Sequence, residues 1–373
     1  MNEPTRKPRV AVVFGGRSSE HAISCVTAGS VLAAIDQEAY DVVPIGIATD
    51  GRWVLESGDP ERLRIDSPDK LPSVDGGRAM VTLTRDTDAT DLVVTEPAQP
   101  PRTLGEVDVV FPLLHGPWGE DGTIQGMFEM AGVRYVGAGV LASAVSMDKA
   151  YMKIVLAAAG LPVLPSVTIT AREWAADPQA CRERADALGY PLFVKPARGG
   201  SSIGISKAHD SSELDECLTE AHRHDPKALV EISAEGAREV ECGVLQSLEG
   251  APETSVPAEI RIGGEHEFYD FAAKYLPEEH TALDVPADLP PDVTADLREL
   301  AARAFDAVGC EGLARVDFFV MPGGGVVVNE INTMPGFTPT SMFPRMWAAT
   351  GVEYPELVDR LIRLALARDT GLR

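Results

Sequence analysis

Apolar residues fall in short runs separated by helical stretches over most of the chain. Residues 9–16, RVAVVFGG, form an apolar run that stops at a glycine pair. Such a run reads as a buried parallel strand ending at a ligand-facing turn. A helical stretch at about 20–35 follows, then a second strand at 40–48, and this βαβ pattern predicts an open α/β sheet. Residues 50–105 are polar and rich in Asp, Pro and Thr, with short strands and loops expected. The apolar run 106–116 ends in His115-Gly116, and a loop leads from it to a helix near 123–131. Asp148 is placed to cap a helix that stops at Gly160, with Pro162 and Pro165 beyond it. Strands are expected at 190–196, 227–232, 237–247 and 255–262, and a helix from Ser211. A long loop is expected at 276–291. The stretch 291–309 has proline at its start, glycine at its end and helical periodicity between. A hairpin at about 313–331 and a terminal helix complete the pattern.

The chain has 373 residues, more than one simple core accommodates. Two or three domains are expected. With 45% apolar and 24% charged residues it has the composition of a globular protein. Its net charge of −24 makes nucleic acid and anionic membrane poor partners. An anionic ligand must then be held by local basic groups or by metal. Five cysteines without a C-x-x-C pair fit a reducing compartment. No secretory leader and no membrane span are read, so a cytoplasmic location is expected.

Candidate chemistry begins with ARVDFFVMPGGGVVVNEIN. With Gly323 and Gly324 at the tip, Asp317 lies opposite Glu330 and Arg315 opposite Asn332, all four on one face. Val316, Phe318, Asn329 and Ile331 are expected on the other. Oxygen donors grouped in this way suit Mg²⁺, and Arg315 suits a transferring phosphoryl group. For an isolated hairpin a structural salt-bridge network is an equal reading. FVKPARGGSSIG places Lys195 before a Gly/Ser loop able to cradle oxyanions. It is not a Walker A motif. Lys149 opens a helix after Met147-Asp148. Each lysine taken singly reads more readily as a surface residue. Glu231, at a strand end, suits an adenine amine, and Glu239 ribose hydroxyls; solvated glutamates are the plainer reading. FYDFAAKY, with Lys274, precedes the long loop, and loops of that length often act as lids. Ligands bind beyond the carboxyl ends of strands in open α/β sheets, which points Glu20 and His115 at one crevice. A histidine alone is more often structural.

In this order and spacing, GGRSSEHAIS, LLHGPWGEDGTIQG, MDKAYMK, FVKPARGGSSIG, FYDFAAKY, ARVDFF and NEINTMPGFTPTS resemble the ATP-grasp enzymes, and more closely the D-alanine–D-alanine ligases. The resemblance covers nearly all of the chain except 50–105. It implies a three-domain ATP-grasp fold divided as 1–140, 141–231 and 232–373: an N-terminal open α/β domain and two α+β domains clamping ATP, with a lid at about 268–291. It implies that ATP is used to join two D-alanine molecules through D-alanyl phosphate, in a homodimer. Lys149, Lys195, Ser202 and Tyr269 would hold ATP, with Glu231 at the base and Glu239 at the ribose. Asp317, Glu330 and Asn332 would bind two Mg²⁺, replaceable by Mn²⁺, alongside a monovalent cation such as K⁺. Lys274 would contact the γ-phosphate. Glu20, Ser201 and Tyr275 would position the first D-alanine near His115. Arg315 and the Gly336 amide would stabilise the tetrahedral intermediate, and Ser341 with Met342 would hold the second D-alanine. The chain departs from the pattern at Ile232, where relatives often carry lysine. Two rivals remain: a ligase of the same fold using D-lactate or D-serine, and a non-catalytic nucleotide-binding regulator.

Overall fold

The first apolar run is a parallel strand, as its burial on both faces requires. In the computed structural model, which describes residues 6–65, 71–85, 90–200, 203–262 and 281–371, it is β1 (Arg9–Gly15). It pairs in parallel with β2 (Asp41–Ile47) and β7 (Val109–Pro112), with α1 (His21–Ala34) as the first crossover. The polar segment 50–105 is more ordered than its composition indicates. It supplies β3 (Trp53–Leu55), β4 (Met80–Arg85), β5 (Thr90–Thr95) and β6 (Arg102–Glu106). These extend the sheet in antiparallel fashion, giving the order β6-β5-β4-β3-β2-β1-β7-β8, where β8 is Arg134–Tyr135. Between β7 and β8 runs α2 (Thr123–Ala131).

Alternation along β1 divides the core. Ala11 and Val13 face α2 through Ile124 and Phe128. Val10, Val12 and Phe14 face α1 and two helices from the far end of the chain, α9 (Met342–Thr350) and α10 (Tyr354–Leu366). The long terminal helix was legible from its periodicity, but α9 was not.

The second sheet is antiparallel, in the order β11-β10-β12-β9. Its strands are β9 (Ser166–Thr170), β10 (Leu192–Pro196), β11 (Ser206–Ala208) and β12 (Lys227–Ile232). The helices α5 (Ala171–Ala176), α6 (Pro178–Asp186) and α7 (Leu214–His224) accompany it, and Cys181, Ala185, Leu214, Leu218 and Ala221 form its separate core. The helix expected from Ser211 starts instead at Leu214. Asp210 accepts hydrogen bonds from the Ser212 N–H and hydroxyl, so residues 211–213 form a side-chain-stabilised turn.

The third sheet, also antiparallel, contains β13 (Arg238–Leu245), β14 (Glu253–Thr254), β15 (Ala258–Ile262), β16 (Thr281–Asp284), β17 (Leu313–Val320) and β18 (Val326–Asn332). Part of the stretch read as a long loop is therefore strand: residues 281–284 pair with β15 along its free edge. Helix α8 (Pro291–Ala307) covers this sheet, joined by α3 (Val140–Met147) and α4 (Lys149–Ala158) through Ala142, Met152 and Leu156. Asp148 caps α4 by accepting from the Tyr151 N–H at 3.2 Å. The Lys149 N–H donates to the Ala197 carbonyl at 2.9 Å, linking α4 to the second sheet as well.

Candidate active site

The hairpin β17–β18 gives the site its platform. Arg315 pairs with Asn332 and Asp317 with Glu330. The tip differs from the expected two-residue turn. Pairing resumes at Val320 and Val326, the Met321 N–H donates to the Gly325 carbonyl, and a bulge interrupts the ladder beside Asp317. The bulge sets Phe318 against Val328, both buried, and leaves Asn329 lining the cleft. Asn329 was expected on the apolar face. A buried amide there would cost free energy without a partner, and one extra residue in the strand avoids it.

The platform faces a cleft of about 740 Å³ lined from all three sheets. Arg315 forks onto Asp317 with two 2.7 Å hydrogen bonds, and its Nε lies 3.2 Å from Glu241 Oε1. Burial alone would lower the Arg315 pKa, but the charges of Asp317 and Glu241 outweigh it and hold the guanidinium ionised. Arginine and metal-ligand candidates, read as separate roles, are thus joined here by an ion pair. Asn332 donates its amide N–H to Asp317 at 2.9 Å, which leaves the amide oxygen on its other branch. Glu330 lies 3.1 Å from Lys149 Nζ.

Two carboxylates and an amide oxygen on neighbouring strands are hard donors that fit Mg²⁺, with phosphate and water completing its shell. Among the described residues no three His, Cys, Asp or Glu side chains converge as a self-sufficient metal cage.

Lys149 Nζ also donates to the Gly199 carbonyl at 3.1 Å. Lys195 Nζ donates to Glu231 Oε2 at 2.8 Å. Glu231, 1% exposed, carries a second lysine, Lys153, on its other oxygen. Glu231, expected as an adenine acceptor, pairs with a lysine on each oxygen, Lys153 and Lys195, and an ionised carboxylate has acceptor sites beyond these two. Burial would raise its pKa, but Lys195 and Lys153 keep it below the usual carboxylate range. Lys153 went unread, although it follows Lys149 by four residues in MDKAYMK and so lies on the same helix face. Glu239 on β13 lines the cleft, as does Ile232.

Glu20, at the N-cap of α1, is buried and lines the cleft. Gly116 lies against it: a Cβ there would sit 2.5 Å from Glu20 Oε2, and the backbone is left-handed at φ +73, so glycine is required. His115 is buried, with Nδ1 3.1 Å from the Met334 carbonyl and Nε2 3.3 Å from Thr27 Oγ1. Both ring nitrogens are engaged by protein, which favours the structural reading over a substrate contact. Desolvation lowers its pKa. Gly336, Ser341 and Met342 line the same cleft, and Ser341 Oγ is 2.7 Å from Thr338 Oγ1. Ser201, Ser202, Tyr269, Lys274 and Tyr275, with the first part of the expected lid, lie outside the described residues. A further carboxyl escaped notice: Glu120, in the loop before α2, lines the cleft beside Glu20.

Family models decide the lineage. Residues 9–138 match the D-ala D-ala ligase N-terminus, and residues 155–363 match the D-ala D-ala ligase C-terminus. The chain belongs to the D-alanine–D-alanine ligase family. A D-alanine–D-alanine ligase of Paenarthrobacter aurescens is 58% identical over 371 residues, covering 99% of this chain and 98% of the relative. Among solved structures, the VanG D-Ala:D-Ser ligase of Enterococcus faecalis matches with a TM-score of 0.82. It is 34% identical and covers 96% of this chain and 100% of that one. The D-alanine–D-alanine ligase of Coxiella burnetii has a TM-score of 0.79 at 36% identity, covering 96% and 94%. The three-sheet architecture is the ATP-grasp fold of this ligase family, which uses ATP. No helix among the described residues is long and apolar enough to cross a membrane.

Proposed function

We propose that this chain is an ADP-forming D-alanine–D-alanine ligase that supplies the dipeptide for peptidoglycan synthesis. The observation carrying the reading is the meeting, in one cleft, of the Arg315/Asp317/Glu330/Asn332 platform with Lys149 and Lys195. That arrangement fits transfer of a phosphoryl group between anions.

In the proposed reaction, the carboxylate of one D-alanine attacks the γ-phosphate of ATP, giving D-alanyl phosphate and ADP. The amine of a second D-alanine then attacks the acyl carbon, and the tetrahedral intermediate collapses to the dipeptide and phosphate. Lys149 and Lys195 hold the nucleotide's phosphates against their mutual repulsion. Glu231, with neighbouring backbone groups, accepts from the adenine amine through lone pairs its lysines leave open, and Glu239 holds the ribose. Glu20 holds the first ammonium. Arg315 and the Gly336 N–H stabilise the oxyanion in a site shielded from water, where such donors act most strongly. Ser341 and the start of α9 receive the second carboxylate. Two Mg²⁺ held by Asp317, Glu330 and Asn332 would neutralise charge on the phosphate oxygens. Ser201, Ser202, Tyr269, Lys274 and Tyr275 keep the roles that the family resemblance implies. The division into 1–140, 141–231 and 232–373, a cytoplasmic location and a homodimer belong to the same proposal. Sedimentation at micromolar concentration tests the dimer, and a purely monomeric species would refute it.

Coupled ADP release with D-alanine as the sole amino acid tests the activity, with L-alanine as control. D-alanine-dependent ADP and dipeptide formation are expected. Preference for D-serine or D-lactate as second substrate at neutral pH would move the chain to the VanG-like branch. ATP binding without D-alanine-dependent turnover would make it a regulator.

A further inference from the structure

Strand β18 ends at Asn332 and α9 begins at Met342, and the segment 333–341 between them forms one wall of the cleft. A segment that offers backbone amides to a reacting centre must itself be fixed. Met334 is gripped at both ends by a single loop of the first sheet. Its N–H donates to Glu120 Oε1 at 3.1 Å, and its carbonyl oxygen lies 3.1 Å from His115 Nδ1. The other Glu120 oxygen accepts from the Gly116 N–H at 2.6 Å, closing the 115–120 loop on itself. One carboxyl thus ties together two backbone segments far apart in sequence, and the mechanism above gives it no other task.

We propose that Glu120 is a positioning residue: each of its oxygens holds one backbone amide, locking the 333–336 turn to the first sheet and so setting the second amino-acid subsite. The proposal rests on the reading of Gly336 and Ser341 as groups that serve the second D-alanine. Met334 is two residues from Gly336, so a turn released at Met334 no longer holds the Gly336 N–H at a fixed place. Among the described residues, Glu20 and Arg315 are the charged groups that act on Glu120, and His115 holds the other end of Met334. Burial and the charge of Glu20 push the Glu120 carboxyl up to about 8. The Gly116 and Met334 N–H donors oppose that shift, because they favour the ionised form that accepts on both oxygens.

That chemistry selects the variant. Glu120→Gln keeps size but presents an amide nitrogen, which cannot accept, to one of the two N–H groups. Initial rate against D-alanine concentration resolves two half-saturation constants, because the amino acid fills two subsites. The second constant is expected to rise about tenfold, the effect of roughly one lost hydrogen bond. The first, and that for ATP, should stay within about twofold. The thermal midpoint should fall by no more than about 4 °C. Hydrogen exchange supplies a readout independent of turnover: the Met334 or the Gly116 amide should exchange faster in Glu120→Gln, and both in Glu120→Ala. An unchanged second constant overturns the proposal, as does a uniform rise in all three with a large loss of thermal stability. If the wild-type chain makes no dipeptide, the assigned activity fails, while unaltered exchange at both Met334 and Gly116 in Glu120→Ala separately defeats the clamp.

Discussion

Arg315 is bound bidentately to Asp317 and lies within reach of Glu241, so it is held in place before any substrate arrives. Pre-organised charge of this kind is worth roughly 10²–10³ in turnover at a developing oxyanion. Arg315→Ala should lose at least that much in kcat while the nucleotide dissociation constant changes by less than about threefold. Equal losses in affinity and rate, measured by calorimetry and ADP release, would remove the arginine from the reacting centre. Glu120 gives a second test at this scale, through pH. Its folded pKa of about 8 exceeds the ordinary carboxylate value near 4.5. Between those values the folded state binds the extra proton, so Glu120 stabilises the fold at low pH and that contribution fades as pH rises toward 8. Denaturant titrations at pH 5 and pH 8 should show wild type losing more stability over this interval than Glu120→Gln. Identical losses would mean that the carboxyl titrates normally.

At the scale of elements, periodicity served well where one face is buried. The pairing of Arg315 with Asn332 and Asp317 with Glu330 follows from the expected two-residue tip only because the bulge shifts the register by one residue and offsets the longer tip. The bulge at Asn329 was not legible, since period two carries no mark for an inserted residue. Helix α9 escaped for a different reason: it is short, and its first two turns, with Met342, Phe343, Pro344, Met346 and Trp347 buried, give little polar periodicity to read. Glu231 was found as a strand-end acid, but its two lysines come from other elements, brought together only by folding. The packing of α9 on the third sheet yields its own prediction. Gly243 on β13 pairs with Arg315, and a Cβ there would lie 2.7 Å from Trp347 Nε1 and 3.1 Å from Phe343. Gly243→Ala should cost about 2 kcal/mol through overpacking, read from denaturant midpoints. A neutral result would mean that α9 moves freely on the sheet.

Across the whole molecule, the apolar clusters group the sheets unequally. One cluster runs from β1 and α1 through α9 and α10 to β13 and β15, joining the first and third sheets. The second sheet has its own core, under α6 and α7. Native-state hydrogen exchange should therefore resolve residues 166–232 as a unit that opens at lower free energy than the rest. ATP should raise its protection, because the nucleotide is held partly by Lys195 from this sheet. A single opening free energy for all three sheets would refute the partition.

Helix α10 packs on α1, β7 and β8, and the Tyr40 hydroxyl donates to Asp359 at 2.6 Å. The first sheet is made early, yet part of its cover lies at the far end of the chain. On a ribosome adding about 5–20 residues per second, residues 9–138 must wait for some two hundred more before that face is sealed. A nascent chain arrested just short of residue 354 would carry Val10, Val12 and Phe14 without their α10 neighbours Leu357, Leu361 and Ile362. Chaperone binding to such arrested chains should fall once α10 has left the exit tunnel, so the order of synthesis, rather than the stability of the finished enzyme, sets the interval in which this protein is prone to aggregate.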